Sequence, residues 1–159
     1  MQYWLVYYNP TTSNPCPPGW FSPGLGNCFK NSATVAVPLQ VITELPNMSL
    51  SGSAVFNGMD TLVLTTATQA YSVTGKDNVV FLARGWNSSE FNVLGEGGGS
   101  QAQFNPGTSL TLQVDVTDKG RKPSCGSNPS TTAETNNLTL GACVAAGGGA
   151  PKIRFVESD

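Results

Sequence analysis

A chain of 159 residues is long enough to bury a real core, since a domain of that size removes roughly 70% of its unfolded surface from water. Only 11% of the residues are charged, against 15 Ser, 16 Thr and 13 Asn, and the net charge is −2. That balance excludes a broad basic face of the kind that binds nucleic acid, and no apolar run approaches the roughly 20 residues a membrane-spanning helix needs.

Helix surfaces are normally covered by Glu, Lys, Arg and Gln, whereas Thr, Ser and Asn favour strands and turns. With 18 Gly and 11 Pro added, little helix is expected. Residues 3–8 are apolar or aromatic throughout and read as a strand covered on both faces. Residues 9–14 are a polar turn, and 16–28 read as a loop because Pro, Gly, Ser and Asn crowd into it. Residues 34–43 alternate, with Val35, Val37, Leu39 and Val41 on one face, and Pro38 makes this an edge strand or one with a bulge. Strands over 50–56 and 61–66 flank Asn57-Gly58, a strong hairpin signal.

A second pair is expected over 70–73 and 79–84, across residues 75–78, with the apolar run 79–83 central. A short strand follows over 90–94, a glycine-rich loop over 95–100 and a turn at Asn105-Pro106-Gly107. Residues 109–117 alternate cleanly, Leu110, Leu112, Val114 and Val116 facing inward. Residues 119–136 are polar and turn-rich, 137–144 hold a short strand, 147–149 a hinge, and 152–157 a last strand with Ile153 and Phe155 inward. Nine or ten short strands at this spacing predict a single all-β domain over 1–159. Its architecture is an antiparallel two-sheet sandwich, jelly-roll or Ig-like, with a barrel as the alternative.

The four cysteines, Cys16, Cys28, Cys125 and Cys143, form no Cys-x-x-Cys pair, and there is no histidine to complete a zinc site. Two disulfides are the expected use; three connectivities are open to them, and Cys16–Cys28 with Cys125–Cys143 is favoured because each closes a short loop. Disulfides place the chain outside the reducing cytosol, in an extracellular setting or at a cell or virion surface. Residues 1–10 lack the features of a signal peptide.

Absent histidine also removes Ser-His-Asp and Cys-His catalysis, and no enzyme is expected. Carboxylate pairs such as Glu90 with Glu96, or Asp115 with Asp118, leave a glycosidase as the remote exception. No cofactor is expected, calcium alone suiting the donors of Asp77-Asn78 and Asp115-Val116-Thr117-Asp118.

The aromatic residues carry the functional expectation. Trp86 with Asn87 and Glu90 sets a ring face beside amides and a carboxylate, and Trp20 lies in the first cysteine loop. A flat ring takes the C–H face of a sugar while amides take its hydroxyls, so these residues form the expected ligand site. Residues 16–20, Cys-Pro-Pro-Gly-Trp, together with Cys28-Phe29, resemble the opening hairpin of C-type lectin domains over about 14 residues. That family's calcium-binding motif has no counterpart here, so its site is not carried over.

A non-enzymatic, lectin-like binder of a glycan or cell surface is therefore the leading expectation. A self-assembling subunit of a fibre, capsid or surface layer is the alternative, and a membrane-active toxin using Trp20, Phe21 and Trp86 the third.

Overall fold

The computed structural model describes residues 1–8, 16–93, 95, 101–117, 121–126 and 135–159. The turn expected at 9–14, the glycine loop after Gly95, Leu94, Asp118 and much of 119–136 lie outside the described residues. The chain forms two compact units, Met1–Ser88 and Ser89–Asp159. Three antiparallel sheets dominate, helix accounts for 10%, and the described strands close no barrel, so the barrel alternative is set aside.

The first unit holds two three-stranded sheets. One has the order β1-β3-β2, from β1 (Gln2–Leu5), β2 (Phe21–Gly24) and β3 (Asn27–Asn31). The segment expected as a loop is thus a hairpin. Leu25 and Gly26 both adopt positive φ, at 53° and 74°, and join Gly24 to its partner Asn27. Two central residues with φ > 0 twist a two-residue turn the way paired strands need, so these glycines build a hairpin where they were expected to break structure. Cys16 and Cys28 are disulfide-bonded, their Cα atoms 5.5 Å apart, which ties the segment before the hairpin to its second strand.

The other sheet has the order β4-β5-β6, from β4 (Ser49–Ala54), β5 (Met59–Thr65) and β6 (Ala70–Lys76). Asn57, at φ 56°, and Gly58 turn β4 into β5, as expected of Asn-Gly. Two expected strands are absent. Residues 32–41 join no ladder: Pro38 lacks an N–H, and a 3-10 turn, Ile42–Asn47, follows. The apolar run 79–84 does not pair either, and β6 pairs with β5 instead.

The reason is Asp77, which is fully buried. Its Oδ1 accepts the Ala83 N–H at 2.8 Å and its Oδ2 the Asn57 N–H at 3.1 Å. A buried carboxylate must be met by donors. The chain therefore curls round it, through a 3-10 turn (Asp77–Val79), Phe81 at φ 54° and a one-turn helix α1 (Leu82–Gly85).

The second unit is a four-stranded sheet in which β10 (Lys152–Ser158) is central. It pairs with β7 (Ser109–Asp115), β8 (Thr139–Leu140) and β9 (Val144–Ala146). The alternation read for 109–117 holds: Leu110, Leu112 and Val114 are half-buried while Thr111, Gln113 and Asp115 are exposed. Asn105 accepts the Thr108 N–H, closing the expected turn. Cys125 and Cys143 are disulfide-bonded with Cα atoms 6.0 Å apart. Residues 90–93 form no strand.

Among the described residues, the largest fully buried side chains include Glu157, Asp60 and Asp77, while the buried hydrophobic side chains are Tyr3 and Cys28. The Glu157 carboxylate accepts from Asn136 at 3.2 Å. Polar anchoring does here much of what aliphatic packing does in larger cores.

Candidate functional site

Strand β1 was expected to be covered on both faces; it is covered on one. Successive residues of a strand point to opposite faces. Tyr3 points inward, its hydroxyl donating to Asp60 Oδ2 at 3.0 Å, and it crowds Gly75 so closely that a Cβ there would collide with it. Burial, then the hydrogen bond to Asp60 and the charges of Asp60 and Asp77, push the Tyr3 hydroxyl up to about 12. Gln2 and Trp4 consequently point outward. The strand ends at Leu5, and Val6, Tyr7 and Tyr8 are exposed beyond it, with Tyr7 at φ 51°.

Register then assembles a row. Trp4 lies opposite Phe29, and Phe29 opposite Phe21. The ring centroids are 5.4 Å apart at each step, Trp4 and Phe29 tilted at 33° and Phe29 and Phe21 stacked at 27°. Trp4 is 45% exposed and Phe21 61%. One rung along the strands, Gln2 lies opposite Asn31, and the Gln2 side chain donates to the Asn31 Oδ1 at 2.8 Å. The Trp4 indole N–H donates to Gln2 Oε1 at 2.6 Å. The face therefore carries three adjoining rings, flanked by two amides that hold the indole in place. None of its side chains is ionisable; Lys30, on β3, has the opposite parity.

The residues named from sequence are distributed differently. Trp86 follows α1, is 45% exposed, and donates its indole N–H to the Ser88 carbonyl at 2.8 Å. Its six-membered ring lies over Gly52 on β4, where a Cβ would come within 3.0 Å of Cη2. Asn87 is exposed beside it, while Glu90 falls in the second unit. Trp20 is half-buried in the turn before β2, its N–H donating to Pro17, and it is the next residue, Phe21, that the hairpin presents. Nearby, the Arg84 guanidinium sits 4.9 Å from the Phe56 ring centroid and 4.7 Å from that of Phe81, a cation held between two rings.

Both oxygens of Asp77 are engaged by backbone amides, and those of Asp115 accept from Gln113. The carboxylates of Asp77 and Asp115 thus serve their own chain. Among the described residues no cluster of three acidic or cysteine side chains forms, and no helix is long and apolar enough to cross a membrane.

Sequence reasoning missed Trp4, Phe29, Gln2 and Asn31, and named Phe21 only as a loop aromatic of the membrane-active alternative. The available signal was strict alternation: once Tyr3 is inward, Gln2 and Trp4 share the opposite face. No known family, curated protein or solved structure matches this chain.

Proposed function

We infer that this chain is a non-enzymatic, secreted carbohydrate-binding module. Its binding surface is the row Trp4–Phe29–Phe21, with Gln2 and Asn31 beside it. The observation that carries the reading is the coincidence, on one exposed sheet face, of three adjoining rings and a hydrogen-bonded amide pair. Aromatic faces are electron-rich and apolar, matching the C–H faces of sugar rings. Amides offer both donors and acceptors to hydroxyls. The indole is already fixed by Gln2, so little side-chain freedom is lost on binding.

Two disulfides fit the oxidising compartment such a module occupies. The two three-stranded sheets of the first unit, joined through Tyr3 and Asp60, support a small sandwich as its scaffold. The buried carboxylates of Asp60 and Asp77 accept from the Tyr3 hydroxyl and from backbone amides, structural roles that argue against their use in a carboxylate-dependent hydrolase. A glycan array tests the reading. The wild type gives reproducible hits, and Trp4→Ala and Phe21→Ala each abolish them; an array without hits, or hits indifferent to both substitutions, overturns it.

A self-assembling subunit is favoured by a separate observation. Val35, Val37, Leu39, Val41 and Ile42 are all exposed on a segment that joins no ladder. Molecular mass in dilute solution decides between the two: a monomer removes the assembly reading, a polymer promotes it.

A further inference from the structure

Resting on the carbohydrate reading above, we propose that the aromatic row takes a neutral, extended polysaccharide. The polymer lies across the strands of the β1-β3-β2 sheet and is held by the flat faces of interior units, not by its end.

Length comes first. The rings follow one another through two steps of 5.4 Å, from strand to neighbouring strand, so the aromatic surface is a strip across the sheet. A terminal sugar covers one ring and leaves the others in water. A chain of linked units uses all three.

Charge comes second. Gln2, Trp4, Phe21, Phe29 and Asn31 carry none, and Lys30 alternates to the other face. A uronate or sulfate laid here would lose hydration with no cation among those side chains to replace it, above ring faces that repel anions. A neutral hydroxyl meets no such penalty.

Shape is the third constraint. An end-reading site needs walls that close round the last sugar. Here Trp4 and Phe21 stand 45% and 61% exposed on a sheet face, and two cavities among the described residues, of about 360 and 170 Å³, are lined by other residues. The polar groups form a flank: the amides of Gln2 and Asn31 lie one rung along from the rings, on one side of the strip. A polymer crossing the strands therefore stacks by its faces and meets hydrogen-bonding groups along one edge.

The test uses the full, disulfide-intact chain in co-sedimentation with insoluble neutral polysaccharides (cellulose, chitin, a β-1,3-glucan). In parallel it is titrated with short oligomers of the same sugars, soluble polygalacturonate and phosphatidylcholine vesicles. The expected result is retention on at least one neutral polymer, weakened about tenfold or more by Trp4→Ala and by Phe21→Ala, as loss of one stacking platform implies. Trp4→Tyr should restore most of it. Retention should be the same at low and high salt, since no ion pair contributes. Melting curves of each variant separate lost binding from lost fold, and Phe21, the more exposed of the two, keeps the test open if Trp4→Ala fails to fold.

Ring-dependent binding that prefers polygalacturonate and weakens with salt overturns neutrality while leaving the carbohydrate reading intact. Short oligomers that bind as tightly as polymer overturn the extended-chain inference alone. Binding to vesicles but to no polymer, abolished by Trp4→Ala, assigns the row to a membrane surface and overturns both. No ring-dependent binding to any probe overturns both as well.

Discussion

Tyr3→Phe removes one oxygen from the protein and tests how the first unit is anchored. The lost hydroxyl donates to Asp60 Oδ2 at 3.0 Å, and Asp60 is 1% exposed. Among the described residues Asp60 Oδ1 already has no hydrogen-bond partner, so the substitution leaves the whole carboxylate without one. A hydrogen bond to a charged group contributes about 1.5–3 kcal/mol, and a buried acceptor stranded by the change costs at the upper end of that range. The expected loss is about 2–3 kcal/mol, or roughly 10 °C or more in Tm for a unit of this size.

Thermal and urea melts of the oxidised chain measure it. Asp60→Asn provides the control, because it keeps an acceptor for Tyr3 while removing the charge; Tyr3→Phe should cost about 1 kcal/mol less in that background. The pH dependence gives a second readout. The Tyr3 pKa is raised from 10.0 to about 12 on folding, so the neutral hydroxyl is the form that folding favours. Its contribution is complete below about pH 10 and is lost as pH climbs through about 12. The stability gap between wild type and Tyr3→Phe should therefore hold at neutral pH and narrow over that window. A gap below about 0.5 kcal/mol at pH 7, the size of an ordinary surface substitution, refutes the anchoring argument.

Four further outcomes are expected. Trp86→Ala should cost about 1–2 kcal/mol, less than a fully buried aromatic because the ring is half exposed, and should leave polysaccharide retention unchanged; lost binding at unchanged Tm would instead make Trp86 part of the site. Gly52→Ala should shift the indole fluorescence of the folded chain, since the new Cβ stands 3.0 Å from Cη2. Removing Cys16–Cys28 by a double Ala substitution should cost roughly 3 kcal/mol and weaken retention with it, whereas removing Cys125–Cys143 should leave retention intact. Deleting residues 1–8 takes Tyr3 from Asp60 and Trp4 from the row; a deletion that stays folded, monomeric and fully binding contradicts the site.

Strands were legible wherever one local signal was enough. The alternation of 109–117 and the Asn57-Gly58 turn each specify their element without help from distant residues, and both are present. The short spacing within each cysteine pair similarly anticipated both disulfides. What failed depended on partners. The run 79–83 has every property of a central strand, but Asp77, two residues upstream, is buried and gathers its amides from Asn57 and Ala83. No periodicity announces that a carboxylate will turn inward. The aromatic row was hidden for a related reason. The apolar run 3–8 looks identical from either face until Tyr3 is known to meet Asp60, 57 residues away. Trp20 and Trp86 drew attention as tryptophans flanked by glycine, while the strand-borne Trp4 passed as core.

The same alternation explains why this site tolerates so little ambiguity. Side chains change face with every residue, so a slip of one position in the β1-β3 pairing would bury Trp4 and expose Tyr3. Nothing in the hydrophobicity of residues 3–8 forbids that slip, because both faces are apolar. Two polar constraints do. Tyr3 has a buried carboxylate to reach, and Cys28 on β3 is held by Cys16. Either constraint fixes one strand; together they fix the register between them, with Leu5 opposite Cys28 and Trp4 opposite Phe29. The hairpin turn at Leu25-Gly26 extends the register to β2 and brings Phe21 opposite Phe29. The outer row is thus positioned by chemistry on the inner face. Substitutions at Tyr3, Asp60 and the first disulfide should therefore lower stability and binding together, whereas substitutions at Trp4 and Phe21 should lower binding alone.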